Sequence, residues 1–122
     1  MEIFKEFRFE AAHRLPNVPE GHKCSRLHGH SFKVVIRVCG PVNEPEGWVQ
    51  DFGDIKAAFQ PLLDHLDHNY LNEIQGLKNP TSENIAVWIW KRLELSLPLL
   101  HEVEVRETCT TGCSYRGDGD EK

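Results

Sequence analysis

Apolar and polar residues alternate from Glu2 to Arg14, with Ile3, Phe7, Phe9, Ala11 and His13 on one parity and Glu6, Arg8, Glu10 and Arg14 on the other. Successive strand side chains point to opposite faces, so this pattern predicts a strand with one buried face; Phe4 and Lys5 break it. Pro16 to Arg26 holds two prolines, a glycine and no sustained period, and reads as a loop long enough to be functional. Alternation resumes from His28 to Val38, with His28, His30, Phe32, Val34, Ile36 and Val38 on one face and Lys33 and Arg37 on the other. Gly40-Pro41 ends this second strand, and Asn43 to Gly47 is a turn-rich connector. The period then changes: Ile55, Ala58, Phe59, Leu62, Leu63 and Leu66 form the stripe of an amphipathic helix that Asp51 or Asp54 starts and that Pro61 should kink or break. A polar connector from Asp67 to Asn79 leads to Pro80-Thr81-Ser82, where a hydroxyl N-cap is expected. The second helix there carries Ile85, Ile89, Leu93 and Leu97, and Pro98 should stop it. From His101 to Thr108, Val103, Val105 and Glu107 oppose Glu102, Glu104 and Arg106, a third strand; a short fourth is expected around Ser114 to Arg116.

The order ββααββ predicts an α+β fold, an antiparallel four-stranded sheet with two helices on one face. At 122 residues there is room for one domain, assigned to residues 1–116, and the Gly/Asp-rich stretch 117–122 is expected to be a disordered tail. An open sheet this small leaves two edges, which self-association could pair. Fourteen Lys and Arg against nineteen Asp and Glu give a net charge of −5, which argues against a mainly electrostatic partner such as nucleic acid or a membrane surface. The longest apolar run, Ile85 to Trp90, is far short of the roughly 20 residues that cross a bilayer, and MEIFKEFRFEAAHRL lacks the apolar core of a signal peptide. The expected compartment is therefore the cytoplasm, where four Cys and seven His point to metal or thiol chemistry more than to disulfides.

His13 closes the inward face of the first strand, and His28 and His30 open the inward face of the second. If these strands pair as a hairpin, the three imidazoles converge. Each shares a face with Phe, Val or Ile, where an unpartnered polar ring is costly; a metal relieves that cost, and three neutral imidazoles suit zinc with an open fourth position. Cys24, four residues before His28, is either a fourth ligand closing a structural site or a thiolate acting as base or nucleophile beside the cation. Cys39, Cys109 and Cys113 carry no comparable pattern and read as inert thiols. Asp64 and His65 read as a solvated helix face, whereas Asp67-His68 lies beyond the last apolar position, where a carboxylate can orient an imidazole for proton transfer. Glu107 faces inward by parity, so it is either paired with Arg106 or Arg116 or free to accept a guanidine-like edge through two N–H bonds. Arg14, His22, Lys23 and Arg26 make the loop locally basic, a patch that would attract an anionic small molecule.

Several separated segments, taken together, resemble one known family. Phe7 to Leu15, Gly21 to His30, Leu66 to Asn72, Asn79 to Asn84 and Glu107-Thr108 resemble, in order, the 6-pyruvoyltetrahydropterin synthase superfamily, and within it the bacterial 6-carboxy-5,6,7,8-tetrahydropterin synthases of queuosine biosynthesis. The resemblance implies that His13, His28 and His30 are zinc ligands, Cys24 the catalytic thiol, Asp67 and His68 a catalytic pair, and Glu107 the anchor of the pterin edge. It also places Thr81 and Ser82 in the pterin pocket. The three residues between Cys24 and His28 resemble the queuosine branch; the animal pyruvoyl enzymes carry a longer gap. The implied substrate is 7,8-dihydroneopterin triphosphate, converted to 6-carboxy-5,6,7,8-tetrahydropterin with loss of acetaldehyde and triphosphate. The implied architecture is the tunnelling fold, in which trimers close their sheets into a barrel, two trimers stack into a hexamer, and active sites lie between subunits. A pyruvoyl-forming enzyme of the same fold, or a non-catalytic zinc module with Cys24 as fourth ligand, are the rival readings.

Overall fold

The computed structural model describes residues 1–117. Its elements follow the order β1 (Glu2–His13), β2 (His28–Cys39), α1 (Phe52–Leu66), α2 (Ser82–Leu93), β3 (Leu100–Arg106) and β4 (Gly112–Tyr115), with 3-10 turns at Lys23–Ser25 and Leu71–Glu73. The four strands form one antiparallel sheet in the order β1-β2-β3-β4. Both helices pack on the face that carries Phe7, Phe9, Phe32, Val34, Ile36, Val103 and Val105, giving the expected two-layer α+β fold.

Parity sets this face. On β1 and β2 the register pairs Phe9 with Phe32, whose rings stack at 4.8 Å, and Phe7 meets Phe59 of α1 at 4.3 Å. Phe59, Leu66, Ile85 and Ile89 are fully buried, each stabilising the fold by about 1.5–3 kcal/mol through removal of apolar surface from water. Asp51 caps α1 by accepting from the Gly53 N–H at 2.8 Å, and Thr81 caps α2 by accepting from the Asn84 N–H at 3.1 Å.

Two helix boundaries differ from the sequence expectation. Helix α1 runs unbroken through Pro61; Pro61 and Ala57 are both exposed, so the Ala57 carbonyl that loses its intrahelical donor can turn to water. Helix α2 ends at Leu93 rather than at Pro98. The Ser96 and Leu97 N–H groups both donate to the Leu93 carbonyl, and this closing turn buries Leu97 without further helix. Gly117 is buried in a left-handed conformation, where an added Cβ would sit 2.9 Å from the Trp90 ring; the rest of the expected tail lies outside the described residues.

The opposite face of the sheet is charged. Lys33 pairs with Glu6 at 3.1 Å, Arg37 with Glu2 and Glu104 at 3.3 Å each, Arg116 with Glu102 at 3.0 Å, and Arg106 with Glu104. Glu102 and Glu104, which point away from the core as predicted, are nonetheless buried beneath these cations.

The sheet order leaves β1 and β4 as edges. The C-terminal end of the β1 edge is covered by residues 67–70: the His68 N–H donates to the Glu10 carbonyl at 2.6 Å and the Ala12 N–H to the Asn69 carbonyl at 3.2 Å. No helix among the described residues is long and apolar enough to cross a membrane.

Candidate metal centre and active site

The β1–β2 register sets His13 opposite His28 and Ala11 opposite His30, which brings three inward imidazoles to one corner of the sheet. Ring centroids are 4.6 Å apart for His13 and His28, 5.0 Å for His28 and His30, and 5.5 Å for His13 and His30; one ligating atom from each lies within 4.8 Å of the others.

Hydrogen bonds fix how two of these rings present themselves. His13 Nδ1 lies 2.9 Å from the Pro80 carbonyl and His28 Nδ1 lies 2.7 Å from the Arg26 carbonyl. A carbonyl oxygen only accepts, so each Nδ1 carries the proton and each Nε2 keeps a lone pair. His13 is 1% exposed and its Nε2 has no hydrogen-bond partner. An orphaned buried nitrogen costs about 1–3 kcal/mol, which coordination relieves. Burial holds the His13 pKa below the usual imidazole value, and the neighbouring His28 and His30 push the same way; the Pro80 bond and the Glu107 charge oppose them. The ring is thus neutral at neutral pH, the form that binds a metal. Three convergent imidazoles, one with an unsatisfied buried nitrogen, fit a divalent cation.

Cys24 sits in the 3-10 turn Lys23–Ser25, half-buried with a free thiol. His22 Nδ1 accepts from the Cys24 N–H at 3.0 Å, and the Cys24 carbonyl accepts from the Leu15 N–H at 2.7 Å, two residues beyond His13. His22 therefore has a local structural task, while Arg14, Lys23 and Arg26 stay exposed. Of the other thiols, Cys39 and Cys109 are exposed, and burial pushes Cys113 up to about 11, which keeps it protonated and unreactive.

Asp67 ends α1, and both its oxygens are engaged: Oδ1 accepts from the Glu10 N–H at 2.9 Å, and Oδ2 lies 3.0 Å from His68 Nδ1. The Glu10 N–H, then the His68 ring and backbone, hold the Asp67 carboxyl below its ordinary value. His68 adopts φ 59°, the left-handed region a non-glycine residue enters only when its surroundings hold it there. Its N–H bonds to Glu10, and Asn69 Nδ2 lies against the final carbonyls of α1, at 2.9 Å from His65 and 3.3 Å from Asp67. The imidazole is exposed and lines, with His30, Glu10, Ser31 and Tyr70, an open cleft of about 520 Å³.

Glu107 lies one residue beyond β3 and is half-buried. The expected pairing with Arg106 or Arg116 is replaced by another partner: buried Ser82 donates its hydroxyl to Glu107 Oε1 at 2.7 Å, while Arg106 and Arg116 engage Glu104 and Glu102. Strand parity turns the two arginines to the charged face. Thr81 is spent as the cap of α2, so its contribution is to place Ser82. Glu107 lines a cleft of about 380 Å³ with Phe32, Lys33, Arg106 and Thr108.

The sequence reading missed Glu10, Asn69, Asn72 and the Pro80 carbonyl. Their roles run through backbone groups brought together only by the fold; the one local signal is the recurrence of Asn at positions 69 and 72, just past a helix end.

The 6-pyruvoyl tetrahydropterin synthase family model matches residues 2–118. The 6-carboxy-5,6,7,8-tetrahydropterin synthase of Synechocystis is 51% identical over 93% of this chain and 91% of its own, and the 6-pyruvoyl tetrahydrobiopterin synthase of Drosophila melanogaster is 36% identical over 89% and 75%. The structure of the Caenorhabditis elegans 6-pyruvoyl tetrahydropterin synthase superposes with a TM-score of 0.89 at 26% identity, covering 97% of this chain and 96% of that one. With its histidine corner, its sheet order and a match along nearly its whole length, the chain belongs to the 6-pyruvoyl tetrahydropterin synthase family.

Proposed function

We propose that the protein is a zinc-dependent carbon-carbon lyase, a 6-carboxy-5,6,7,8-tetrahydropterin synthase that converts 7,8-dihydroneopterin triphosphate to the carboxypterin with release of acetaldehyde and triphosphate, in queuosine (7-deazaguanine) biosynthesis. The observation that carries the reading is the corner of His13, His28 and His30, together with the buried, unpartnered Nε2 of His13. The name borne by the Synechocystis relative and the three residues between Cys24 and His28 support the carboxy product.

Zinc held by the three histidines would supply a Lewis acid for the hydroxyl oxygens of the substrate side chain. Glu107, with Oε1 anchored by Ser82, accepts the N–H edge of the pterin ring and fixes its orientation. Cys24, as the thiolate, removes a proton from the side chain of the ring so held. Asp67 retains the proton on His68 Nδ1, which leaves Nε2 as the acceptor and donor for the hydroxyl protons that move when the carbon-carbon bond breaks. In the trimer or dimer of trimers implied for this fold, Asp67 and His68 serve Cys24 of a neighbouring chain, and assembly also covers the free sheet edges. The enzyme works in the cytoplasm on a small anionic substrate, with no nucleic acid or membrane partner.

Product analysis tests this. Incubation of the zinc-loaded protein with dihydroneopterin triphosphate yields acetaldehyde and a carboxypterin in equal amounts; a pyruvoyl product with no acetaldehyde would assign the protein to the pyruvoyl-forming branch.

A further inference from the structure

None of the roles above uses Asn72, yet its side chain joins three parts of the chain around the metal corner. Its Oδ1 accepts from the Arg14 N–H at 2.9 Å, and its Nδ2 donates to the Arg14 carbonyl at 2.9 Å and to the Lys78 carbonyl at 3.3 Å. A carboxamide offers two donors and an acceptor in one plane, so it can hold both polar groups of one residue's backbone and still reach a third. An acid in its place would set an acceptor against two carbonyls.

What Asn72 holds is specific. Arg14 directly follows His13, and Lys78 lies two residues before Pro80, whose carbonyl takes the His13 Nδ1 proton at 2.9 Å. One amide therefore ties the backbone that carries the imidazole to the backbone that carries its acceptor. The tie continues outward, because Leu15 donates to the carbonyl of Cys24.

We infer that Asn72 is a positioning residue of the three-histidine centre, setting the direction and tautomer of His13 by fixing the Arg14 and Lys78 backbone on either side of the His13–Pro80 bond. The inference rests on the metal reading above. Groups that orient a ligating histidine from outside typically change metal affinity ~10–100-fold when removed.

The test uses metal-free full-length protein titrated with Co²⁺ against a competing chelator, read by the visible absorption of the bound ion, with urea unfolding of each metal-free form alongside. Asn72→Ala is expected to bind cobalt ~10–100-fold more weakly than wild type and to change the absorption bands. Asn72→Ser, which keeps a short donor, is expected to fall between the two, and decides the matter in the same way if Asn72→Ala does not fold. Asn43→Ala, which removes a remote bond to the Val49 carbonyl, is expected to leave cobalt affinity unchanged. A lower urea midpoint with wild-type affinity and wild-type bands would make Asn72 merely structural and overturn the inference alone. Wild-type protein that took up no cobalt would overturn the metal reading and this inference together.

Discussion

Replacing Asp67 by Asn probes the proposed proton relay without changing its shape. Asp67 now accepts at both ends, from the Glu10 N–H through Oδ1 and from His68 Nδ1 through Oδ2. An amide accepts at one end only. With its oxygen toward Glu10, the NH₂ group faces His68 Nδ1, which must give up its proton. The ring then carries hydrogen on Nε2, and the nitrogen that should take a proton from substrate has no lone pair to offer it. With the amide reversed, two donors oppose each other at Glu10 and the segment loses an anchor to β1. Either orientation removes general acid-base catalysis, worth roughly 10²–10⁴-fold, so kcat for acetaldehyde release should fall by about that factor, with zinc content and KM near wild type. The carboxyl is held below its ordinary value in the folded protein, so its stabilising effect is present above the unfolded carboxyl pKa of about 3.9 and is lost as pH falls through the folded value. Urea midpoints of wild type and Asp67→Asn should therefore differ at neutral pH and converge in acid. A kcat within about threefold of wild type, less than 1 kcal/mol of barrier, would refute the relay.

Two further outcomes follow from the same site. Glu107→Gln turns one accepting oxygen into a donor beside the Ser82 hydroxyl and should weaken pterin binding by roughly tenfold or more, measured by equilibrium dialysis, at unchanged zinc content; loss of zinc or of folding would instead make Glu107 a structural group. Cys24, as a thiolate outside the metal's ligand set, should be alkylated by iodoacetamide with zinc in place, followed by mass spectrometry, whereas a thiol that reacts only after chelation would make it the fourth ligand of a closed site.

The parts of the fold that follow local periodicity were legible. The inward row of β1 and β2 needs only alternation, and parity together with hairpin pairing of the two strands assigns His13, His28 and His30 to one corner. Helix boundaries were less legible because they depend on water and on neighbouring turns: Pro61 is tolerated since the carbonyl it abandons is exposed, and α2 stops at Leu93 since a tighter turn buries Leu97 equally well. The partner of Glu107 was hidden for another reason. Ser82 is 25 residues away and on a different element, while the nearby Arg106 has the right charge but the wrong parity. The burial of Glu102 and Glu104 was equally invisible, because strand parity says which face a side chain takes but not what lies across it.

Residues 67–70 cover the C-terminal end of the β1 edge and also include Asp67 and His68, the pair proposed as the relay. An uncovered strand edge is a template for another chain, so this short segment guards against strand-to-strand aggregation with the same backbone bonds that aim His68. If Asp67 and His68 form the proposed relay, solubility and turnover are coupled in one place: a change that peels the segment from Glu10 and Ala12 uncovers an adhesive edge as it disarms the catalyst, and a preparation that loses activity by this route should also be one that begins to cloud.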